Sequence, residues 1–354
     1  MKKKLLLAAL LVVAGGLIVF SVLFAIDFDF SKLDSQKYER ERFEVIGEFD
    51  RVSIDLSDLD LRILPAAEGE GCTLLLPKSK TQECKAFLMD GKLCVQEIDG
   101  RAWFEKLVVF SFADGEESTV ELRLPPAEYS RLDASIRSGD ITLEGEGYEF
   151  GYIGLNGSTG DVEISKENVT GMIKTTTGDV YVRGAKEGDL SISTTTGEVE
   201  LSDCTLRDLS VEVSSGDVSL SDAHVTGEIC VKTTTGDVDL HRVNVAKPSE
   251  TSEELGGVLS ITTTTGSIKA DEISSAHVEW STTSGSIKAT GVDVYSANVK
   301  VTSGSVRIAL VGTQSHIFNV TTSSGSTQYP ESGAGGDFRV KTASGSVDIT
   351  YQTP

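Results

Sequence analysis

Six acidic residues recur at one position of a repeated corner. Asp140, Asp161, Asp179, Glu198, Asp217 and Asp237 each follow a glycine that is itself preceded by Ser or Thr. In five later copies the same position holds Ser267, Ser286, Ser305, Ser326 and Ser346. If the copies stack, carboxylates roughly 5 Å apart repel one another, and a hard divalent cation such as calcium would relieve that repulsion. The plainer expectation is that each carboxylate caps the backbone N–H groups of its own corner and stays solvated. That expectation is preferred, because the glycine-rich calcium nonapeptide GGxGxD is absent. Calcium is the one cofactor the column could hold, and no other is expected.

A second candidate column lies two residues before the corner glycine. It reads Thr176, Thr195, Ser214, Thr234, Thr264, Thr283 and Thr302, with Ser158 and Ser323 at the equivalent place in flanking copies. A flat outward ladder of hydroxyls suits a repetitive polymer such as a glycan, or ice. Strand propensity with hydrogen bonding at the corner explains the same residues and is preferred. The four histidines, His224, His241, His277 and His316, share no ligand spacing. No Ser-His-Asp or Cys-His set and no phosphate loop can be assembled, so the chain is not expected to be an enzyme. Some β-helix proteins cleave polysaccharides, but that is fold-level analogy, and no outward cluster of acids with Arg or Lys on neighbouring coils is evident.

The elements that must position these columns follow from the repeat. The marker is Ser/Thr-Gly-Asp/Ser-Val/Ile, centred on Gly139, Gly160, Gly178, Gly197, Gly216, Gly236, Gly266, Gly285, Gly304, Gly325 and Gly345. The spacing stays near twenty residues except for a polar insertion at 246–256, which reads as a surface loop. The residue two after the glycine is Val or Ile in every copy but one, where it is Thr327. Period-two alternation of β-branched residues, as in Ile229, Val231, Thr233 and Thr235, means strands with one buried face. Glycine at the corner supplies backbone angles that other residues resist. No helix-period segment separates the copies, so equivalent strands pair in parallel, one coil on the next. The fold expected is all-β: a single-stranded parallel β-helix, or solenoid, of about eleven coils over 135–354.

Residues 43–134 are strand-rich but irregular, with alternation in Val52-Ser53-Ile54-Asp55-Leu56 and a hairpin signal at Asp90-Gly91. They read as an N-terminal cap over an open sheet edge. The last coil is followed only by Tyr351-Gln352-Thr353-Pro354, so the far edge is expected to be bare, or covered by another chain through self-association of the C-terminal coil. Residues 27–42 are polar and read as a linker.

Residues Leu5 to Ile26 form 22 residues without a charge, preceded by Lys2, Lys3 and Lys4. At about 1.5 Å per residue, such a helix spans a bilayer with the lysines inside. The run is longer than a signal-peptide core, and no small-residue cleavage site follows it. The expectation is one transmembrane signal anchor, with the C-terminal bulk outside the cytoplasm. A formal net charge of −22 argues against nucleic acid as a partner. The five cysteines, an odd number with no CxxC spacing, support neither a zinc nor a redox site, although one disulfide among Cys72, Cys84 and Cys94 is compatible with their closeness in sequence.

Three features in order resemble the bacterial putative-adhesin family, a domain of unknown function in envelope proteins. They are the strand pair from Phe49-Asp50-Arg51-Val52-Ser53-Ile54 through Leu61-Arg62-Ile63-Leu64, the hairpin at Asp90-Gly91-Lys92-Leu93 with the strand ending at Leu124-Pro125, and the corners that begin at Ser138-Gly139-Asp140-Ile141. The resemblance implies an envelope β-solenoid and transfers no catalytic residue. The function expected is a membrane-anchored adhesin or scaffold that binds a cell-wall polymer or an envelope protein. The alternatives are a regulatory envelope-stress protein acting on a membrane sensor, and a self-assembling structural rod.

Overall fold

The structure, a computed structural model, describes residues 38–79, 82–99, 118–247, 256–312 and 316–352. The proposed membrane anchor, most of the linker and most of the 246–256 insertion lie outside these residues.

Each glycine coil has a first strand that ends at the corner, such as Ile229–Thr235, and a second that starts two residues after the glycine, such as Val238–Val245. Equivalent strands pair in parallel and in register: Ile229 meets Leu259, and Val238 meets Ile268. The alternation expected from sequence is present, with Val, Ile and Leu pointing inward along the whole rod. The inner space is narrow and filled largely with aliphatic side chains, and Trp280 is the largest fully buried one. Aromatics gather towards the ends instead. Phe49, Tyr129, Phe150 and Tyr148 contact one another near one end, and Phe318, Phe338, His316 and Tyr351 near the other.

The corner glycines stack directly. Gly236 and Gly285 have φ of +153° and +154°. A Cβ on either would lie 1.9 Å from the carbonyl oxygen of the glycine one coil below. Both the backbone angle and the contact therefore require glycine. A second corner, six residues further on, takes the left-handed conformation in most coils. Asp203, Asp222, Arg242 and Glu272 sit there with φ between 51° and 56°, and Gly145, Gly184 and Gly291 occupy the same place in other coils. It turns the chain onto a short third side, seen in Ala223–Val225 paired with Val243–Val245. Each full coil is thus three-sided.

Two features depart from the sequence reading. The region read as a cap supplies two further coils of the same stack. Arg51–Leu56 and Asp60–Pro65 pair with Arg131–Ser138 and Ile141–Glu144 on one side, and with Lys92–Asp99 and Thr119–Leu124 on the other. With the eleven glycine coils this makes thirteen layers, a rod of roughly 60 Å. Only the outermost strands, Glu39–Glu44, Thr73–Lys78 and Gln82–Met89, run antiparallel and act as a lid. Glu39–Glu44 also takes over the end of the segment read as linker. The corner of the 51–65 coil was missed because Leu59 stands where glycine marks the eleven later copies.

The second departure is at the far end. The coil last in sequence is not last in space. Its strands Asp337–Ser344 and Val347–Gln352 pair with 297–303 and 306–311 below, and with Ile317–Ser324 and Thr327–Gln328 above. The expected bare edge at the C-terminal coil is therefore corrected. The open edge belongs to residues 317–328, and Val347, at 1% exposure, is core. The same inversion of order occurs at the start, where the 92–124 coil lies outside the 51–65 coil.

Candidate functional site

The acidic residues do form a column, but their bonds run between coils and not within them. The N–H of Asp161 donates to Asp140 Oδ1 at 2.8 Å, that of Asp179 to Asp161 Oδ1 at 2.8 Å, and that of Glu198 to Asp179 Oδ1 at 2.7 Å. Asp237 donates to Asp217 at 2.7 Å, and Ser267 to Asp237 at 2.8 Å. Where serine takes over, Ser286 N–H donates to Ser267 Oγ at 3.3 Å and Ser305 N–H to Ser286 Oγ at 3.1 Å. Each small polar side chain satisfies a corner N–H of the next layer that the sheet ladder leaves unpaired. Glu198, one methylene longer, makes no such bond to Asp217. Burial raises its carboxyl pKa, and the charges of Asp179, Glu200 and Asp217 add to the rise.

The column begins one residue earlier than sequence reading placed it. Asp140 N–H donates to Asp60 Oδ1 at 2.9 Å. Burial lifts the Asp60 carboxyl above its ordinary value, the bond from Asp140 N–H opposes this, and the charge of Asp140 adds to the rise. One oxygen of each capping aspartate is thus engaged along the rod. Among the described residues no three His, Cys, Asp or Glu side chains converge as a metal site would need.

The hydroxyl column is continuous. Thr176, Thr195, Ser214, Thr234, Thr264, Thr283 and Thr302 all lie exposed on successive first strands held in register. Seven such residues cover roughly 30 Å of one flat side. One residue nearer the strand's start is an inner threonine ladder: Thr233 lies on the buried face read from sequence, Thr235 is exposed instead, and the ladder's bonds to the corner carbonyls were not foreseen. Thr233, Thr263 and Thr282 are buried, and their hydroxyls donate to the carbonyl oxygens of Gly216, Gly236 and Gly266 at 3.3, 3.1 and 2.9 Å. The signal was present as Thr at an inward position of the alternation, where Val would otherwise stand.

Residues 49–254 and 256–353 match the Toastrack DUF4097 family. The chain belongs to that family. This agrees with the putative-adhesin resemblance read from the strand pair, the hairpin and the corners. No match was found among curated protein sequences. Among solved structures, the chain is similar to a putative adhesin from Parabacteroides distasonis, with 9% identity, 90% of this chain and 97% of that chain covered, and a TM-score of 0.39. A putative adhesin from Bacteroides fragilis gives 11%, 90%, 98% and 0.33. A putative lipid binding protein from Parabacteroides distasonis gives 12%, 90%, 98% and 0.30.

On this Toastrack rod the second side carries a charged column that changes sign along the axis. Glu163, Tyr181, Glu200, Ser219 and Asp239 are followed in register by Lys269, Lys288 and Arg307. Lys269 bridges Asp237 and Asp239 at 3.4 and 3.3 Å, and Arg307 reaches Asp348 at 3.6 Å. The histidines are dispersed. His241 lies 3.3 Å from Asp271, His277 bonds Ser296 at 2.6 Å, and His316 is buried near the far end. All five cysteines are free thiols, and burial pushes those of Cys72 and Cys84 up to about 12, outside the reactive range.

Proposed function

We propose that this Toastrack chain is a non-catalytic binding module of the bacterial cell envelope. Residues 5–26 would anchor it, and its rod would lie outside the cytoplasm, presenting its first side to a wall polymer. The observation that carries this reading is the unbroken exposed column from Thr176 to Thr302. Seven hydroxyl residues at one layer spacing form a rigid, uncharged, repetitive surface on a chain whose net charge is −22. Regular spacing suits a repetitive ligand, since each added unit gains a contact without further ordering of the protein. The aspartate column beside it is read as structural, each carboxylate holding the next corner.

The test is cosedimentation of the detergent-solubilised full chain with purified wall sacculi, with and without calcium. Binding that weakens when Thr195, Thr234 and Thr264 are replaced by Lys supports the reading. Binding only with calcium would give the carboxylate column a ligand role. No binding under either condition removes wall adhesion and favours a membrane-protein partner, as in a regulatory envelope protein.

A further inference from the structure

The two ends of the rod are finished differently. The strands Glu39–Glu44 and Gln82–Met89 close the N-terminal end. The first reads Glu-Arg-Glu-Arg-Phe-Glu, whereas the second carries Glu83 and Lys85 near its start and exposes Phe87, Leu88 and Met89 at its end. A charged edge strand such as Glu39–Glu44 is a recognised block to edge pairing. The far end has no such block. Among the described residues, Ile317–Ser324 pairs only with Asp337–Ser344, and Thr327–Gln328 only with Val347–Gln352. From Ile317 to Pro330 there is not one charged residue.

The backbone of that edge can be followed. The N–H of Ile317 points to the neighbouring layer and donates to Gly336 O at 3.0 Å. The N–H of Phe318, next in the alternation, faces out of the stack, and it donates to Ser332 Oγ at 3.1 Å. By the same alternation, the N–H groups of Val320 and Thr322 face out of the stack beyond that cap. Ile317 and Tyr329, 44% and 43% exposed, flank them.

Charge along the rod points to the same end. Residues 131–245 hold 21 Asp and Glu against nine Lys and Arg, whereas 258–352 hold seven against six. Two copies of a chain of net charge −22 repel at most mutual orientations, and least where both present their near-neutral far ends.

We propose that the 317–328 edge is a homotypic docking surface, and that two copies join far end to far end about a two-fold axis. The pairing is antiparallel, Ile317–Ser324 of one copy against the same strand of the other. A like-with-like contact closes on itself, whereas stacking onto the charged N-terminal lid would be heterologous and would grow into fibres. The occupant is therefore a second copy of this chain, joined as a closed pair.

The test uses the full chain in detergent, followed by sedimentation equilibrium with detergent density matching. Thr321→Lys sets two exposed charges face to face across the axis. Val320→Pro deletes an N–H that makes no bond within the protomer. The expected result is a concentration-dependent doubling of protein mass, weakened about tenfold or more by Thr321→Lys, with the melting temperature unchanged. Thr321→Cys should link protomers to each other, while Glu41→Cys should not. A monomer at every concentration, with fast-exchanging Val320 and Thr322 amides, overturns the proposal and leaves the edge for a strand of another protein. Open-ended oligomers, or dimers indifferent to both variants, overturn it equally.

Discussion

His316 and Tyr351 lie on different coils, 35 residues apart in sequence, and meet at 2.9 Å between Nδ1 and the phenol oxygen. The His316 backbone N–H also donates to that oxygen at 3.3 Å, and Nε2 donates to Val294 O at 2.9 Å. Val294 O can only accept, so the proton sits on Nε2; on the neutral ring the phenol then donates to Nδ1 and accepts the backbone N–H. One buried histidine thus ties together the outermost coil, the final strand of the chain and the coil below them.

Tyr351→Phe should destabilise the rod by about 1–2 kcal/mol, because it leaves Nδ1 of a buried imidazole unpaired. His316→Ala should cost more, about 2–4 kcal/mol, since packing against Phe318 and Phe338 is lost as well. Denaturant titration gives both values. Hydrogen exchange should show the loss concentrated in 317–328.

Gly236→Ala should be among the most damaging single-methyl additions, costing about 3–5 kcal/mol or preventing folding. The new Cβ would meet Gly216 O at 1.9 Å in a backbone conformation that alanine resists. Gly71→Ala, where nothing lies within 4 Å, should leave the melting temperature unchanged.

Asp179→Ala should cost about 1 kcal/mol by orphaning the N–H of Glu198. Asp179→Asn keeps an acceptor and removes a charge from the column. It should be neutral or stabilising, most clearly at low salt. A calcium-binding column would instead lose calcium-dependent stability in both variants.

The pH dependence has a defined sign. The carboxyls of Asp60 and Glu198 are raised above their ordinary values, so the folded chain holds their protons more tightly than the unfolded chain does. The stability they contribute is fully present below the unfolded values and is lost as pH rises through the folded ones. The denaturant midpoint should therefore rise as pH falls from neutral into the carboxylate range. Asp60→Asn and Glu198→Gln should each flatten that rise.

The repeat was legible because one constraint recurs. Stacked corners leave no room for a Cβ, so glycine stands at every one of the eleven marked corners and reveals the period. The coil at 51–65 escaped notice because Leu59 is the bottom of that glycine column. Its carbonyl is what Gly139 packs against, at 2.4 Å from a notional Cβ, and Leu59 itself rests on no glycine below. The exposed hydroxyl column could be read from position alone. The direction of the aspartate bonds could not, because spacing in sequence does not say whether a carboxylate reaches its own corner or the next. The inverted order of the last coils was hidden for a related reason. Coils with the same motif are interchangeable in a pairing scheme, and only side chains such as His316 and Tyr351 decide which lies outside.

That inversion has a consequence for biosynthesis. A ribosome delivers 317–328 before 337–352, yet in the native stack the earlier segment rests on the later one. The far end is completed by its final strand as an arch is by its keystone. A chain cut short before Asp337 would lose one layer and the native seat of a second, so that 317–328 must either dock one layer early or leave an aliphatic core open to water and to proteolysis.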